Sequence, residues 1–328
     1  MSVEGAFRYG KNFVESLLLG GLYPLAWKGD GKSETKMMLR YRYAMAEFEG
    51  MSPAIRKYVR KRIPSQNYIS VLEFPKCGRT YLRFMISHVL SATYGIPFKY
   101  AIFDPIMPEY GLPIFRYIHG FSESGHYTDN YISVGKTGLL QSIGIVLLYR
   151  DPLRVMISYF HHCRDRSGIF QGHFKDFVRD GGLGIHRYAS YVAHFKKEAE
   201  EKNGLILKYE EIVSQPAQKL KEILTFAQIP FDEHAINSAV DHSRFAKMKE
   251  FVSSESNLPT WLLPASPNPQ SHKIRDGGQS SLSEYFAISD IQYVESVWKS
   301  FGNLDYGVSF ETATREIGGS AANSDFDR

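Results

Sequence analysis

The run Tyr68-Ile69-Ser70-Val71-Leu72-Glu73-Phe74-Pro75-Lys76-Cys77-Gly78-Arg79-Thr80-Tyr81-Leu82 decides the fold. Its first seven residues are rich in β-branched and aromatic side chains and stop at Pro75, which predicts a buried strand running into a loop. From Thr80 to Tyr94 the apolar residues Leu82, Met85, Ile86, Val89 and Leu90 recur at helical spacing, and Gly95 closes the segment. A strand, a short loop and a helix in that order aim backbone N–H groups at whatever lies above the sheet, with the positive end of the helix dipole behind them. Lys76 adds a mobile charge, Gly78 lets the backbone approach closely, and Thr80 supplies a hydroxyl. The loop reads as a phosphate cradle, although an ordinary strand-to-helix turn with a solvated lysine has the same local pattern. No G-x-x-x-x-G-K-[ST] sequence occurs anywhere in the chain.

Further strands are predicted at Ile114 to Ile118, Ile143 to Tyr149 and Leu205 to Tyr209. Such continuous apolar runs suit strands covered on both faces, as in a parallel sheet. Arg150-Asp151-Pro152 follows the third strand and opens a helix to about Cys163, since proline is well placed in a first helical turn. Another helix begins near Pro216, and helices are expected over Phe231 to Val240, Ser243 to Phe251 and Ser289 to Phe301. Strands alternating with helices imply a three-layer, P-loop-like α/β fold with a central parallel sheet. Residues 252–282, rich in Ser, Pro, Asn and Gly, read as a long loop of the kind that serves as a lid or stays disordered. The expected organisation is an N-terminal arm and helical region over residues 1–63 packed on the core, a main domain over 64–310, and a disordered tail over 311–328.

With 328 residues and 43% apolar content the chain can bury a full core. The net charge of +4 favours an anionic ligand without the basic blocks of a nucleic-acid-coating protein. Two cysteines, Cys77 and Cys163, are too few for a disulfide framework and fit a reducing compartment or indifference to one; the expected location is the cytoplasm. His161, His162 and Cys163 are consecutive and point in different directions on a helix, so they read as structural rather than as metal ligands. No signal peptide is evident. The apolar stretch Phe13 to Trp27 is too short to span a bilayer. Its leucines, Leu17, Leu18, Leu19 and Leu22, offer a peripheral membrane contact, against the plainer expectation of an arm packed on its own domain.

Segment 75–82 resembles the 5'-phosphosulfate-binding loop, P-K-S-G-T-T-W-L, of the cytosolic-type sulfotransferase family. Lys76, Gly78, Thr80 and Leu82 match, whereas Cys77, Arg79 and Tyr81 depart from it. A guanidinium at Arg79 can still hold a phosphate bidentately, and the Tyr81 ring can stack as the family's tryptophan does on adenine. Leu148-Tyr149-Arg150-Asp151-Pro152 with Ser158 resembles the family's 3'-phosphate motif, an arginine ending a strand and a serine eight positions on. Tyr209-Glu210-Glu211 resembles a segment whose tyrosine contacts adenine. His242-Ser243-Arg244-Phe245 with Met248 resembles one whose hydroxyl, phenylalanine and methionine surround the purine. Arg275-Asp276-Gly277, with Phe286 eleven residues after the arginine, resembles R-K-G-x-x-G-D-W-K-x-x-F. There Asp276 replaces a basic residue, and the G-D-W-K core reads Ser280-Ser281-Leu282-Ser283.

The resemblance runs in order over residues 68 to 302. It implies that 3'-phosphoadenosine 5'-phosphosulfate (PAPS) is the co-substrate and that no metal is required. It further implies that His119, at the end of the second strand, is the catalytic base beside Lys76. The implied reaction is in-line transfer of a sulfuryl group to a hydroxyl or amine of a small-molecule, lipid or glycan acceptor, with no nucleic acid involved. The aromatic-rich stretch Phe98 to Tyr117 suits an apolar acceptor pocket. Two other expectations compete: a P-loop kinase using ATP and magnesium, and a degenerate member that binds nucleotide without transfer. Oligomeric state is left open.

Overall fold

The computed structural model describes residues 68–95, 98, 112–118, 142–254, 262, 266–274, 280–302, 304 and 310–324. The arm and helical region expected over residues 1–63, His119 and the Arg275-Asp276-Gly277 segment lie outside them. Strands β1 (Tyr68–Glu73), β2 (Ile114–Ile118), β3 (Ser142–Tyr149) and β4 (Leu205–Lys208) pair in parallel in the order β2-β1-β3-β4. β1 is buried from Ile69 to Glu73, as expected of a strand covered on both faces.

The chain leaves β1 towards β2 on one side and β3 towards β4 on the other. Right-handed crossovers running in opposite directions put their helices on opposite faces, and in such open parallel sheets ligands bind beyond the C-terminal ends of the strands where the direction changes. The loop at Pro75 and the Arg150-Asp151 turn follow those two strands and adjoin, with Arg150 Nη1 donating to the Lys76 carbonyl at 3.2 Å.

The helices are α1 (Arg79–Tyr94), α2 (Pro152–His161), α3 (Phe174–Arg179), α4 (Ile185–Glu201), α5 (Tyr209–Ser214), α6 (Pro216–Phe226), α7 (Glu233–His242), α8 (Phe245–Ser254), α9 (Ile288–Ser300) and α10 (Phe310–Ser324). α1 packs with α6 and α7, while α2, α4 and α9 pack with one another. α2 runs into a π-helical turn, His162–Arg166.

Two differences from the sequence expectation stand out. Tyr209 opens helix α5 rather than ending a strand. Within the stretch 311–328 expected to be a disordered tail, residues up to Ser324 belong to α10, which contacts α9 and buries Ala313. Its apolar content is low, so docking on α9 supplies the stability that intrinsic propensity does not. Among the described residues, no helix is long and apolar enough to cross a membrane.

Beneath the two central strand ends lies an aromatic cluster. Phe74 sits 5.1 Å from Tyr159 of α2, and 4.8 Å and 5.7 Å from Tyr188 and Tyr191 of α4. The Tyr188 hydroxyl accepts from the Arg150 backbone N–H at 2.9 Å, donates to the Arg150 carbonyl at 2.5 Å, and meets the Cys77 thiol at 3.6 Å. One buried phenol thus joins the loops that follow β1 and β3. Replacing Tyr188 with Phe leaves these buried groups without that partner, and a loss of about 1–3 kcal/mol is expected. Urea unfolding checks this, and an unchanged midpoint refutes the tether.

Candidate functional site

The loop after β1 is shaped by two left-handed residues, Lys76 with φ 76° and Gly78 with φ 107°. A non-glycine residue in that region is uncommon and is held there by its surroundings. The surroundings here are the fully buried Cys77, whose backbone N–H donates to the Phe74 carbonyl at 3.3 Å, and its contact with Tyr188. Burial holds the Cys77 thiol well above the usual thiol range. Its side chain points into the core, so of the loop residues expected to meet an anion, Cys77 serves as the anchor. Gly78 is required twice over. Besides its backbone angle, a Cβ there would lie 2.2 Å from Cδ2 of Tyr209. α1 starts at Arg79 with no capping side chain and no acidic residue in its first turn, which leaves the dipole end available to an anion.

Arg79 is partly engaged from below. Its Nε lies 3.1 Å from Oε1 of Glu73, a carboxylate with no exposure at the end of β1. Burial raises the Glu73 pKa, and Arg79, Lys273 and Arg83 oppose that shift. The sequence reading missed Glu73, although an acidic residue inside an otherwise apolar strand is a visible signal.

From the neighbouring strand, Arg150 donates from Nη1 to the Lys76 carbonyl at 3.2 Å, so the two strand tips adjoin. Its guanidinium lies 4.4 Å from the centre of the Tyr209 ring. That ring rests on Gly78 and stands edge-on to Tyr81 at 6.4 Å. Tyr209 therefore occupies the gap between the expected binding points for the two ends of the ligand.

Ser158 is half-buried on α2, one turn after Arg154, while their neighbours on the helix are buried. Arg154, which the sequence reading passed over, donates to the Ser280 carbonyl and ties α2 to the segment just after residues 275–277. Its four-residue spacing from Ser158 is the signal that could have found it.

On the far side of Tyr81, Met248 of α8 is buried with Phe84 and Leu262, and Tyr81 packs against this cluster. Phe245 is 39% exposed at the start of the same helix. Ser243 is fully buried after α7, and its hydroxyl has no hydrogen-bond partner among the described residues. Tyr81, Tyr209 and Arg150 are thus linked in one chain of ring contacts, with Met248 packed behind. Phe286 is buried edge-on against Phe174 at 4.8 Å and anchors the end of the long loop.

His161 bonds Asp165 at 2.6 Å and Tyr285 at 2.8 Å. Among the described residues, no group of three His, Cys, Asp or Glu side chains is placed to hold a metal.

Asp151 caps α2, accepting from the Leu153 N–H at 2.8 Å and the Arg154 N–H at 3.4 Å. Burial, with a contribution from Glu210, pushes its pKa up from 3.8 to about 6. The folded state favours the protonated form, so this group's contribution to stability is complete below pH 3.8 and is lost as pH rises through about 6. Asp151→Asn keeps the cap and removes the titration. Its stability relative to the parent should therefore rise between pH 4 and pH 7, by up to about 3 kcal/mol. Paired urea titrations at the two pH values measure this, and a constant difference refutes the assignment.

A family model described as "Sulfotransferase domain" matches residues 132–304, half of the chain. Sulfotransferase 1B1 of Mus musculus is 28% identical over 160 residues, covering 47% of this chain and 52% of that protein. Sulfotransferase 2B1 of Mus musculus is 26% identical over 165 residues, covering 47% of this chain and 46% of the other. The match thus spans about half the length of these curated relatives.

Among solved structures, a mouse sulfotransferase complexed with PAP has a TM-score of 0.51 at 16% identity, covering 78% of this chain and 89% of that one. Retinol dehydratase in a complex with retinol and PAP has a TM-score of 0.51 at 18% identity, covering 75% of this chain and 83% of the other. At these identities the likeness establishes a shared fold. The matched span of 132–304 contains the Arg150 motif but begins after the loop at Pro75.

Proposed function

This chain belongs to the sulfotransferase domain family, and on that premise we propose that it transfers a sulfuryl group from PAPS to a hydroxyl or amine of a small-molecule, lipid or glycan acceptor. The observation that carries the proposal is the abutment of the two strand tips, Arg150 Nη1 on the Lys76 carbonyl at 3.2 Å with the Tyr209 ring beside both. The residues present fit a doubly phosphorylated adenosine. The uncapped start of α1 and Gly78 suit its 5' end, Arg150 with Ser158 suits the 3'-phosphate, and the partnerless Ser243 hydroxyl suits a polar edge of the purine.

When bound, the co-substrate supplies an activated sulfuryl group. Lys76 and Thr80 hold the 5' end, with Arg79 contributing the charge that Glu73 does not neutralise. Tyr81, Tyr209, Phe245 and Met248 flank the base. Arg275 and the Gly277 backbone complete the 3'-phosphate clamp, with Asp276 weakening the local field. His119 accepts the acceptor's proton as the new O–S or N–S bond forms. Lys76 stabilises the charge that grows on the bridging oxygen as the old S–O bond breaks. These roles call for no metal, because the transferred group carries less charge than a phosphoryl group. The buried free cysteines are compatible with a reducing compartment, and we assign the activity to the cytoplasm.

Adenosine 3',5'-bisphosphate should bind without magnesium in isothermal titration. Lys76→Ala and Arg150→Ala should each weaken it about ten- to a hundredfold, the effect of losing a charge-assisted hydrogen bond. His119→Ala should abolish PAPS-dependent transfer to pooled acceptors, read by mass shift, while leaving bisphosphate affinity within about twofold. Magnesium-dependent ATP binding in place of bisphosphate binding overturns the proposal, and full activity of His119→Ala reassigns the base.

A further inference from the structure

His162, set aside by the sequence reading as structural, is the first residue of the π-helical turn that follows α2. Such turns displace side chains from their regular helical positions and are frequent at functional sites. The ring lies parallel to Tyr159, with centroids 6.1 Å apart and 16° between planes. Its Nδ1 is buried and has no hydrogen-bond partner among the described residues.

The charges that bear on this ring come from four separate places: Lys76 in the loop after β1, Arg79 at the start of α1, Arg166 at the end of the π turn, and Lys273 in the long loop. Arg166 donates to the Ser271 carbonyl at 2.9 Å, which fixes the segment leading to Lys273 against the π turn. Lys273 and Arg79 bear also on Glu73 at the end of β1, and Tyr159, which the His162 ring faces, packs edge-on at 5.1 Å against Phe74, two residues before Lys76. Of these cations, Lys76 and Arg79 belong to the cradle for the 5' end of the ligand. A partly buried imidazole facing several cations stays neutral. Burial first, and then these four charges, depress its pKa to about 3.

We propose that His162 belongs to the 5' anion cradle and takes up a proton as the anion binds, becoming a charged donor to a 5' oxygen. The inference rests on the PAPS reading above and adds to it a ligand residue and a proton linkage. The physical reason is charge compensation. An arriving phosphate or phosphosulfate neutralises Lys76, Arg79, Arg166 and Lys273, removes their repulsion of an imidazolium, and provides Nδ1 with an acceptor. A cradle built this way carries one positive charge fewer when empty than when filled. That lowers the self-repulsion of the free protein and makes the affinity fall as pH rises, since each binding event must also take up the proton.

The test is isothermal titration of adenosine 3',5'-bisphosphate at about pH 6 and pH 7 in two buffers of different ionisation enthalpy, with the wild-type chain, His162→Asn and His162→Gln. The wild type should take up a fraction of a proton on binding, more at the lower pH. The ligand's own phosphates titrate near pH 6 and release protons on binding to cations, an opposite contribution common to all three proteins. Net uptake should therefore fall in both variants, with affinity about tenfold weaker at pH 6, as for loss of one charged hydrogen bond.

Imidazole nitrogen NMR of the wild-type chain gives a readout that does not depend on the variants folding. One histidine should change from a neutral to a charged signature when bisphosphate is added. Equal proton uptake in the wild type and a folded variant, or no histidine changing charge, overturns the inference while bisphosphate binding stands. Absence of bisphosphate binding to the wild type defeats the PAPS reading and this inference with it.

Discussion

The site depends on the Tyr188 hydroxyl. A parallel sheet fixes the spacing of β1 and β3 along their hydrogen-bonded length, but it does not fix the loops beyond their ends. Tyr188 does so by bonding both backbone groups of Arg150 and touching the thiol of Cys77. The phenol is fully buried, and its ring is backed by Phe74 at 4.8 Å and Trp298 at 5.4 Å, so the tether has little freedom. A ligand gripped at both ends needs that rigidity, because small displacements of binding groups are costly in reaction rate. Cys77 makes sense on the same ground, as a small apolar side chain directed inward at the tether rather than at the ligand.

A second constraint is electrostatic. The overall charge of +4 conveys little, since the relevant quantity is local. Glu73 is buried at the end of β1, and an unpaired carboxylate there would be expensive, but Arg79, Arg83 and Lys273 surround it. Through its contact with Arg79 Nε, Glu73 fixes the direction of one guanidinium. The remaining charge and the uncapped start of α1 favour an anion above the strand end. The buried pair therefore contributes orientation and local charge balance more than stability.

Much of this was legible in the sequence because the informative segments are local. β1, β3 and the start of α1 follow from apolar runs that end at Pro75 and Arg150, β2 from the short run Ile114 to Ile118, and their alternation with helices implied a parallel sheet. What lay hidden depends on contacts far apart in sequence. Tyr188 is 38 residues from Arg150 and 111 from Cys77, and nothing in its own surroundings distinguishes it from the other tyrosines. α3 and α4 fell in a stretch whose charged residues obscured the apolar stripe of Ile185, Tyr188, Val192 and Phe195. Tyr209 was expected at a strand end and instead opens a helix, because β4 stops one residue earlier. α10 packs on α9 and on the turn at Leu282–Glu284, a tertiary effect that composition does not report.

α2 connects these constraints. Its cap, Asp151, is the residue after Arg150, so the strand end and the helix start share one turn. One turn along, Arg154 reaches the Ser280 carbonyl; at the end, His161 reaches Tyr285; beyond it, Arg166 holds Ser271. All three bonds reach the same long segment from one helix and its π extension. The described residues of that segment are thus held from two sides, by α2 and its π turn at Ser271, Ser280 and Tyr285, and by α1 where Leu262 and Ile274 share a cluster with Phe84 and Tyr81.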